Sequence, residues 1–283
     1  MSLLKVVGLT VRAADGRDLV SDLSFQVDQA DRLGLIGESG SGKTLTVLAL
    51  IGLLSPGMTA SGSALLDGVP VLGRPQRRLD RLRGRAVSVV FQEPLTALDP
   101  LMRVGAQVAE PLRRHRRLRG RMLRRAVLDA LAEVRLADAA RIARAYPHEI
   151  SGGQRQRVAI AMALACEPAL LIADEPTASL DTTVQAEVLA LLDDLVRARG
   201  MGLLFVGHDV AVVAAVAGRL LVLKGGREVE SGTVGEVLRA PAHPYTRELV
   251  AAARRLHGTL AGIRHLACEP DLDEGRDVAG EPR

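Results

Sequence analysis

The chain has 283 residues and enough apolar material, 48%, to bury a sizeable core. No stretch reaches the roughly 18 consecutive apolar residues that a membrane-spanning helix needs. The net charge of +4 comes almost wholly from arginine, with Lys5, Lys43 and Lys224 the only lysines. Aromatics are 2% and tryptophan is absent. Base-stacking platforms are therefore scarce, which argues against a nucleic-acid partner. Two distant cysteines, Cys166 and Cys268, argue against a disulfide framework or a cysteine-ligated metal cluster. Cys166 sits in an apolar helical pattern, the setting of a buried free thiol. The N-terminus lacks a basic region, apolar run and cleavage site, so a cytoplasmic protein is expected.

In chain order, Leu4–Val11 and Leu19–Val27 read as strands. Arg32–Gly37 is a short apolar strand entering a glycine-rich loop. Lys43–Leu54 is helical in character and stops at Ser55-Pro56-Gly57. Ser63–Leu66 and the β-branched run Ala86–Gln92 read as further strands. From about 94 to 165 strand signals vanish, which predicts a helical insertion into an α/β core. Leu170–Ala173 is a buried strand, Thr183–Arg199 a helix and Gly202–Gly207 the next core strand. Lys224-Gly225-Gly226 between two strand-like runs, Leu220–Leu223 and Arg227–Ser231, signals a hairpin. Residues 1–256 form the expected domain. The polar tail 257–283 is expected to be disordered. No internal repeat occurs.

Gly37-Glu38-Ser39-Gly40-Ser41-Gly42-Lys43-Thr44 fits the phosphate-loop pattern in full, after a strand and opening a helix. Its backbone N–H groups and the positive helix end suit a triphosphate. Lys43 is expected on the β- and γ-phosphates of ATP and Thr44 on Mg²⁺. Asp174 follows an apolar strand, the position that delivers a carboxylate to the crevice at the carboxyl ends of the strands, where it is expected to hold Mg²⁺. Glu175 beside it is placed to polarise a water as general base. Ser151-Gly152-Gly153-Gln154 opens a helical run with a good N-cap, a second anion-binding helix start. Arg113–Arg125 is dense in arginine; it suits either a solvated helical face or contact with a membrane-domain partner or anionic headgroups.

Phosphate loop, SGGQ and Asp174-Glu175 together resemble the ATP-binding subunit of an ABC transporter, from about residue 4 to about residue 250. The resemblance implies a P-loop NTPase α/β core with an antiparallel β subdomain and a helical insertion. It implies that Gln92 contacts Mg²⁺ or the attacking water, and that His208 contacts the γ-phosphate. It also implies that Ser151–Gln154 engages a nucleotide held by the phosphate loop of a second ATPase subunit, with Ser179-Leu180-Asp181 crossing that interface. Phe91–Pro100 and His243-Pro244-Tyr245-Thr246-Arg247-Glu248-Leu249 look like the oligopeptide, dipeptide and nickel importer branch. That branch implies integral-membrane permease partners, an extracytoplasmic binding protein acting indirectly, and a peripheral position on the cytoplasmic face of the membrane. Many members stack adenine on an early aromatic; the matching position is at or near Ala13, and no aromatic precedes Phe25. Many peptide importers also carry a C-terminal cysteine cluster, of which only Cys268 is present here. Two other readings share parts of the pattern: a soluble ABC ATPase of DNA repair or translation, and an ATPase-like subunit of a phosphonate-degrading complex.

Overall fold

The computed structural model describes residues 2–92 and 97–257. Of the expected tail, residue 257 ends the last helix and 258–283 lie outside the described residues, as does Glu93–Thr96. Two sheets carry the fold. The first is antiparallel, in the order β2-β1-β4-β5, built from β1 (Ser2–Arg12), β2 (Asp18–Asp28), β4 (Thr59–Leu66) and β5 (Val69–Pro70). In β1, Leu4, Val6, Leu9 and Val11 are buried while Lys5 and Arg12 are exposed, the pattern of a sheet with one wet face.

The second sheet has the order β10-β9-β3-β8-β7-β6. Its members are β3 (Arg32–Ile36), β6 (Val87–Val90), β7 (Leu170–Asp174), β8 (Gly202–Gly207), β9 (Arg219–Lys224) and β10 (Arg227–Thr233). β6, β7, β8, β3 and β9 run parallel, and β10 returns antiparallel through the expected hairpin. Every residue of β7 and β8 is buried, as expected of apolar runs covered on both faces.

Register positions the site. Ile36 pairs with Gly207, Asp174 with Val206, and Val90 with Ala173. The carboxyl ends of β3, β6, β7 and β8 therefore finish on one edge. That is where α/β sheets bind ligands.

The helices are α1 (Lys43–Leu50), α2 (Gln76–Leu79), α3 (Val104–His115), α4 (Gly120–Glu133), α5 (Ala139–Arg144), α6 (Gly152–Leu164), α7 (Thr182–Arg199), α8 (Val210–Val216), α9 (Val234–Arg239) and α10 (Pro244–His257). α3 to α6 are the predicted helical insertion. In α3, Val104, Val108 and Leu112 are buried at a spacing of one helical turn and join the core cluster beneath the large sheet.

Several boundaries differ from the sequence expectation. α1 ends at Leu50 rather than Leu54, because the Leu53 N–H turns back to the Leu48 carbonyl at 2.8 Å. β4 starts four residues before Ser63, paired with β1 out to Thr59. β6 stops at Val90, so Gln92 lies just past the strand. Cys166 is half-buried beyond the end of α6, its thiol donating to the Pro111 carbonyl at 3.3 Å, and burial pushes its pKa up.

Candidate active site

The phosphate loop joins β3 to α1. Gly42 caps α1 at φ 98°, a left-handed conformation open to glycine and strained for most residues. It lets the next amides start the helix. Lys43 is 4% exposed, and its ammonium donates to the carbonyls of Gly37 (2.8 Å) and Glu38 (2.9 Å). Burial pushes the Lys43 pKa down, and Glu175, Asp174 and Glu38 pull against it. The nearest carboxylate oxygen, Glu175 Oε1, is 3.9 Å away.

β7 delivers Asp174 and Glu175. Asp174 is 3% exposed, and its Oδ1 has no hydrogen-bond partner among the described residues. Burial raises its pKa; the Thr44 hydroxyl lowers it, Glu175 raises it, and Lys43 lowers it. A buried, unpartnered carboxylate oxygen beside a threonine hydroxyl and a polar cavity is a donor set that fits a hard divalent cation such as Mg²⁺. Glu175 takes φ 47°, a strained backbone for a non-glycine residue, held by its N–H donating to Val206 at 2.9 Å. Its Oε2 lies 3.0 Å from His208 Nδ1. A carboxylate only accepts, so His208 is the donor in this contact, through Nδ1–H.

A cavity of about 580 Å³ opens over this edge, lined by Glu38, Ser39, Gly40, Gly42, Lys43, Thr44, Gln92, Glu175 and His208. The structure thus brings together the loop, Gln92, Glu175 and His208, with Asp174 beneath. Among the described residues, the cavity lining contains no aromatic residue.

Ser151–Gln154 and Asp181 do not line this cavity. Ser151 caps α6: its hydroxyl accepts the Gln154 N–H (3.3 Å), and the Gln154 amide oxygen accepts the Ser151 N–H (3.1 Å). Gly153 is packed against α7; a Cβ there would come within 2.5 Å of Val184 Cγ1. Asp181 caps α7, accepting from the Val184 N–H at 3.1 Å. The two motifs are therefore neighbours on a second surface.

The basic run is mixed. Arg113, Arg116 and Arg125 pair with Glu110, Glu167 and Asp129 at 2.8 to 3.2 Å. Arg117, Arg119, Arg121 and Arg124 are exposed and make no ion pair among the described residues, as on a solvated face. Near Ala13, the Arg12 guanidinium is engaged by Asp18 at 2.7 Å. One contact escaped the sequence reading altogether: the Tyr245 hydroxyl accepts the Glu38 N–H of the phosphate loop at 2.8 Å. No spacing rule links residues so far apart.

The family described as "ABC transporter" matches residues 20–178, and "Oligopeptide/dipeptide transporter, C-terminal region" matches residues 229–275. The glutathione import ATP-binding protein GsiA of Pectobacterium atrosepticum is 45% identical over 264 residues, 91% of this chain and 42% of that protein. The chain thus spans less than half the length of that relative. The oligopeptide transport ATP-binding protein OppD of Escherichia coli is 42% identical over 254 residues, 89% of this chain and 75% of that one. A dimeric ATP-binding cassette in a post-hydrolysis state bound to ADP and Pi superimposes with a TM-score of 0.73 at 27% identity, covering 82% of this chain and 98% of that one. Phosphate loop, paired carboxylates at the strand edge and these matches agree: the chain belongs to the ABC transporter family as an ATP-binding, ATP-hydrolysing chain.

Proposed function

We propose that this chain powers the import of peptides or a similar small solute, nickel included, through separate permease chains. The observation that carries this reading is the joint match of the ATPase family and the oligopeptide/dipeptide C-terminal region on one chain. Peptide is favoured over nickel because GsiA and OppD are named for glutathione and oligopeptide. Residues 1–256 are read as one nucleotide-binding domain, with its helical subdomain at about 94–165. No helix among the described residues is long and apolar enough to cross a membrane, so membrane attachment on the cytoplasmic face goes through the permease.

In this reading Lys43 exchanges its two loop carbonyls for phosphate oxygens of ATP, and the loop amides and the start of α1 complete the cradle. Thr44, Gln92 and Asp174 hold Mg²⁺, which when bound neutralises phosphate charge. Glu175 takes a proton from the attacking water as its oxygen bonds to the γ-phosphorus and the bond to the β–γ bridging oxygen breaks, releasing ADP and phosphate. His208, fixed by Glu175, is placed to meet the γ-phosphate. The second nucleotide contact comes from Ser151–Gln154 and Asp181 of another ATPase subunit.

A tagged chain expressed with neighbouring permease genes is expected to co-purify with integral membrane proteins. Its ATP turnover is then expected to rise when a solute-loaded binding protein is added. Recovery only in a soluble complex, with turnover indifferent to any binding protein, refutes the import reading.

The base contact is expected to be weak, since the cavity lacks an aromatic and Arg12 is taken up by Asp18. Triphosphate contacts are shared by ATP and GTP. Their dissociation constants, measured with Mg²⁺, are expected to lie within about a hundredfold, near 2.7 kcal/mol. Ala13→Tyr is expected to tighten ATP binding, because base stacking contributes roughly 1–3 kcal/mol. A larger preference for ATP in the unmodified chain, with no gain from the tyrosine, contradicts this account.

A further inference from the structure

Tyr245 opens α10 within the segment His243–Leu249, which no catalytic step uses. Its ring is buried, with the Lys224 ammonium 4.6 Å from its centroid. Its hydroxyl accepts the Glu38 N–H. The peptide unit that supplies this N–H also carries the Gly37 carbonyl. In a planar trans peptide the two groups point in opposite directions. That carbonyl is one of the two that hold the Lys43 ammonium. A single peptide plane therefore has Tyr245 on one side and Lys43 on the other.

The start of α10 is itself fixed. Glu230 on β10 accepts the N–H groups of Ala242 (2.8 Å) and His243 (2.9 Å), and His243 Nδ1 accepts the Tyr245 N–H (3.2 Å). Burial opposes the charge of Glu230, but the Thr246 hydroxyl and the two amides outweigh it and hold the carboxyl below its ordinary range. A charged anchor, a helix start and a buried hydroxyl thus form one chain of contacts from β10 to the phosphate loop.

We propose that Tyr245 is a positioning residue for the ATP site: through the Gly37–Glu38 peptide it sets where Lys43 waits for the nucleotide. It thereby ties the region matched at 229–275 to ATP binding. The inference rests on reading Gly37–Thr44 as the phosphate-binding loop. A purely structural Tyr245 would act through its ring alone, by packing and by the Lys224 contact. Tyr245→Phe keeps both and removes only the hydroxyl.

The test measures ATP binding to the full chain by titration calorimetry and KM and kcat in the assembled complex. Tyr245→Phe is expected to raise Kd and KM on the order of 2- to 10-fold, the span of one net hydrogen bond. It is expected to leave kcat at saturating ATP within about twofold, because Tyr245 touches no phosphate. Hydrogen exchange at the Glu38 amide is expected to accelerate, with the nucleotide-free melting temperature lowered by no more than a few degrees, as one lost hydrogen bond allows. Glu230→Gln, which loosens the start of α10 without touching the loop, is expected to shift Kd in the same direction. An unchanged Kd and an unchanged Glu38 exchange rate in Tyr245→Phe overturn the proposal, even if Tyr245→Leu weakens binding through the lost ring. Lys43→Ala separates the premise from the inference. If Lys43→Ala binds ATP as tightly as the unmodified chain, the phosphate-loop reading fails and takes this proposal with it. If Lys43→Ala loses binding and Tyr245→Phe does not, only the positioning role fails.

Discussion

Glu175→Gln is expected to retain ATP and to lose turnover by roughly 10²–10⁴-fold, the usual contribution of a general base. The substitution is nearly isosteric, so the strained backbone at φ 47° and its N–H contact with Val206 are untouched. The glutamine oxygen still accepts from His208 Nδ1, which lies 3.0 Å from the carboxylate it replaces. What disappears is the ability to take a proton from water, together with one of the three carboxylates that compensate the buried Lys43. Asp174 remains on the same edge, so the lysine keeps a charged neighbour and ATP still binds. Equilibrium ATP binding and single-turnover hydrolysis in the assembled complex separate the two effects. Hydrolysis within a few-fold of normal removes Glu175 from the base role. A parallel loss of binding instead assigns its charge to holding Lys43 in place.

The site was legible in the sequence to the extent that it is built from local patterns. Gly37–Thr44 carries its own conformational rule. Asp174-Glu175 is announced by the apolar run Leu170–Ala173, whose burial on both faces places the next residue at the strand edge. Gln92 and His208 gain meaning only once the parallel register of β6, β7, β8 and β3 aligns four strand ends, and that register is a property of the sheet. Boundaries were less legible. α1 stops at Leu50 because a backbone turn closes it before Ser55-Pro56, and Gln92 falls outside β6 although the β-branched run points toward it. The Tyr245–Glu38 contact joins positions 207 residues apart, and only tertiary packing brings them together. The short helix α8 was missed because Val210–Val216 is apolar all round, a run without helical periodicity.

Ser151→Arg is expected to abolish hydrolysis in the assembled complex while leaving ATP binding to the isolated chain nearly unchanged. One chain holds two helix starts suited to an anion but one phosphate loop, and Ser151–Gln154 does not line the cavity around Lys43. An ATP at Lys43 already has its phosphates wrapped by that loop. In the proposed reading the start of α6 meets a γ-phosphate on another subunit, which a head-to-tail symmetric pair would supply twice. Arginine at 151 fills that gap with a long side chain and also removes the cap on Gln154, a loss of about 1 kcal/mol on its own. Ser151→Ala isolates the cap: it is expected to lower stability slightly and to reduce hydrolysis far less than the arginine. If the chain pairs with itself, mixing Ser151→Arg with Lys43→Ala subunits is decisive. Each mixed dimer keeps one site in which an intact Lys43 faces an intact Ser151. Random pairing makes half the dimers mixed, so about a quarter of the sites are complete and up to about a quarter of the activity returns if the sites act independently. Each variant alone has no complete site and is expected to be inactive. Full hydrolysis by Ser151→Arg alone places the whole reaction within one chain and removes the shared site. Absent recovery on mixing, with Ser151→Arg still inactive alone, means either that the two sites fire only together or that the natural partner is a different ATPase chain. Repeating the mixture with each candidate partner carrying the Lys43-equivalent alanine decides between those two.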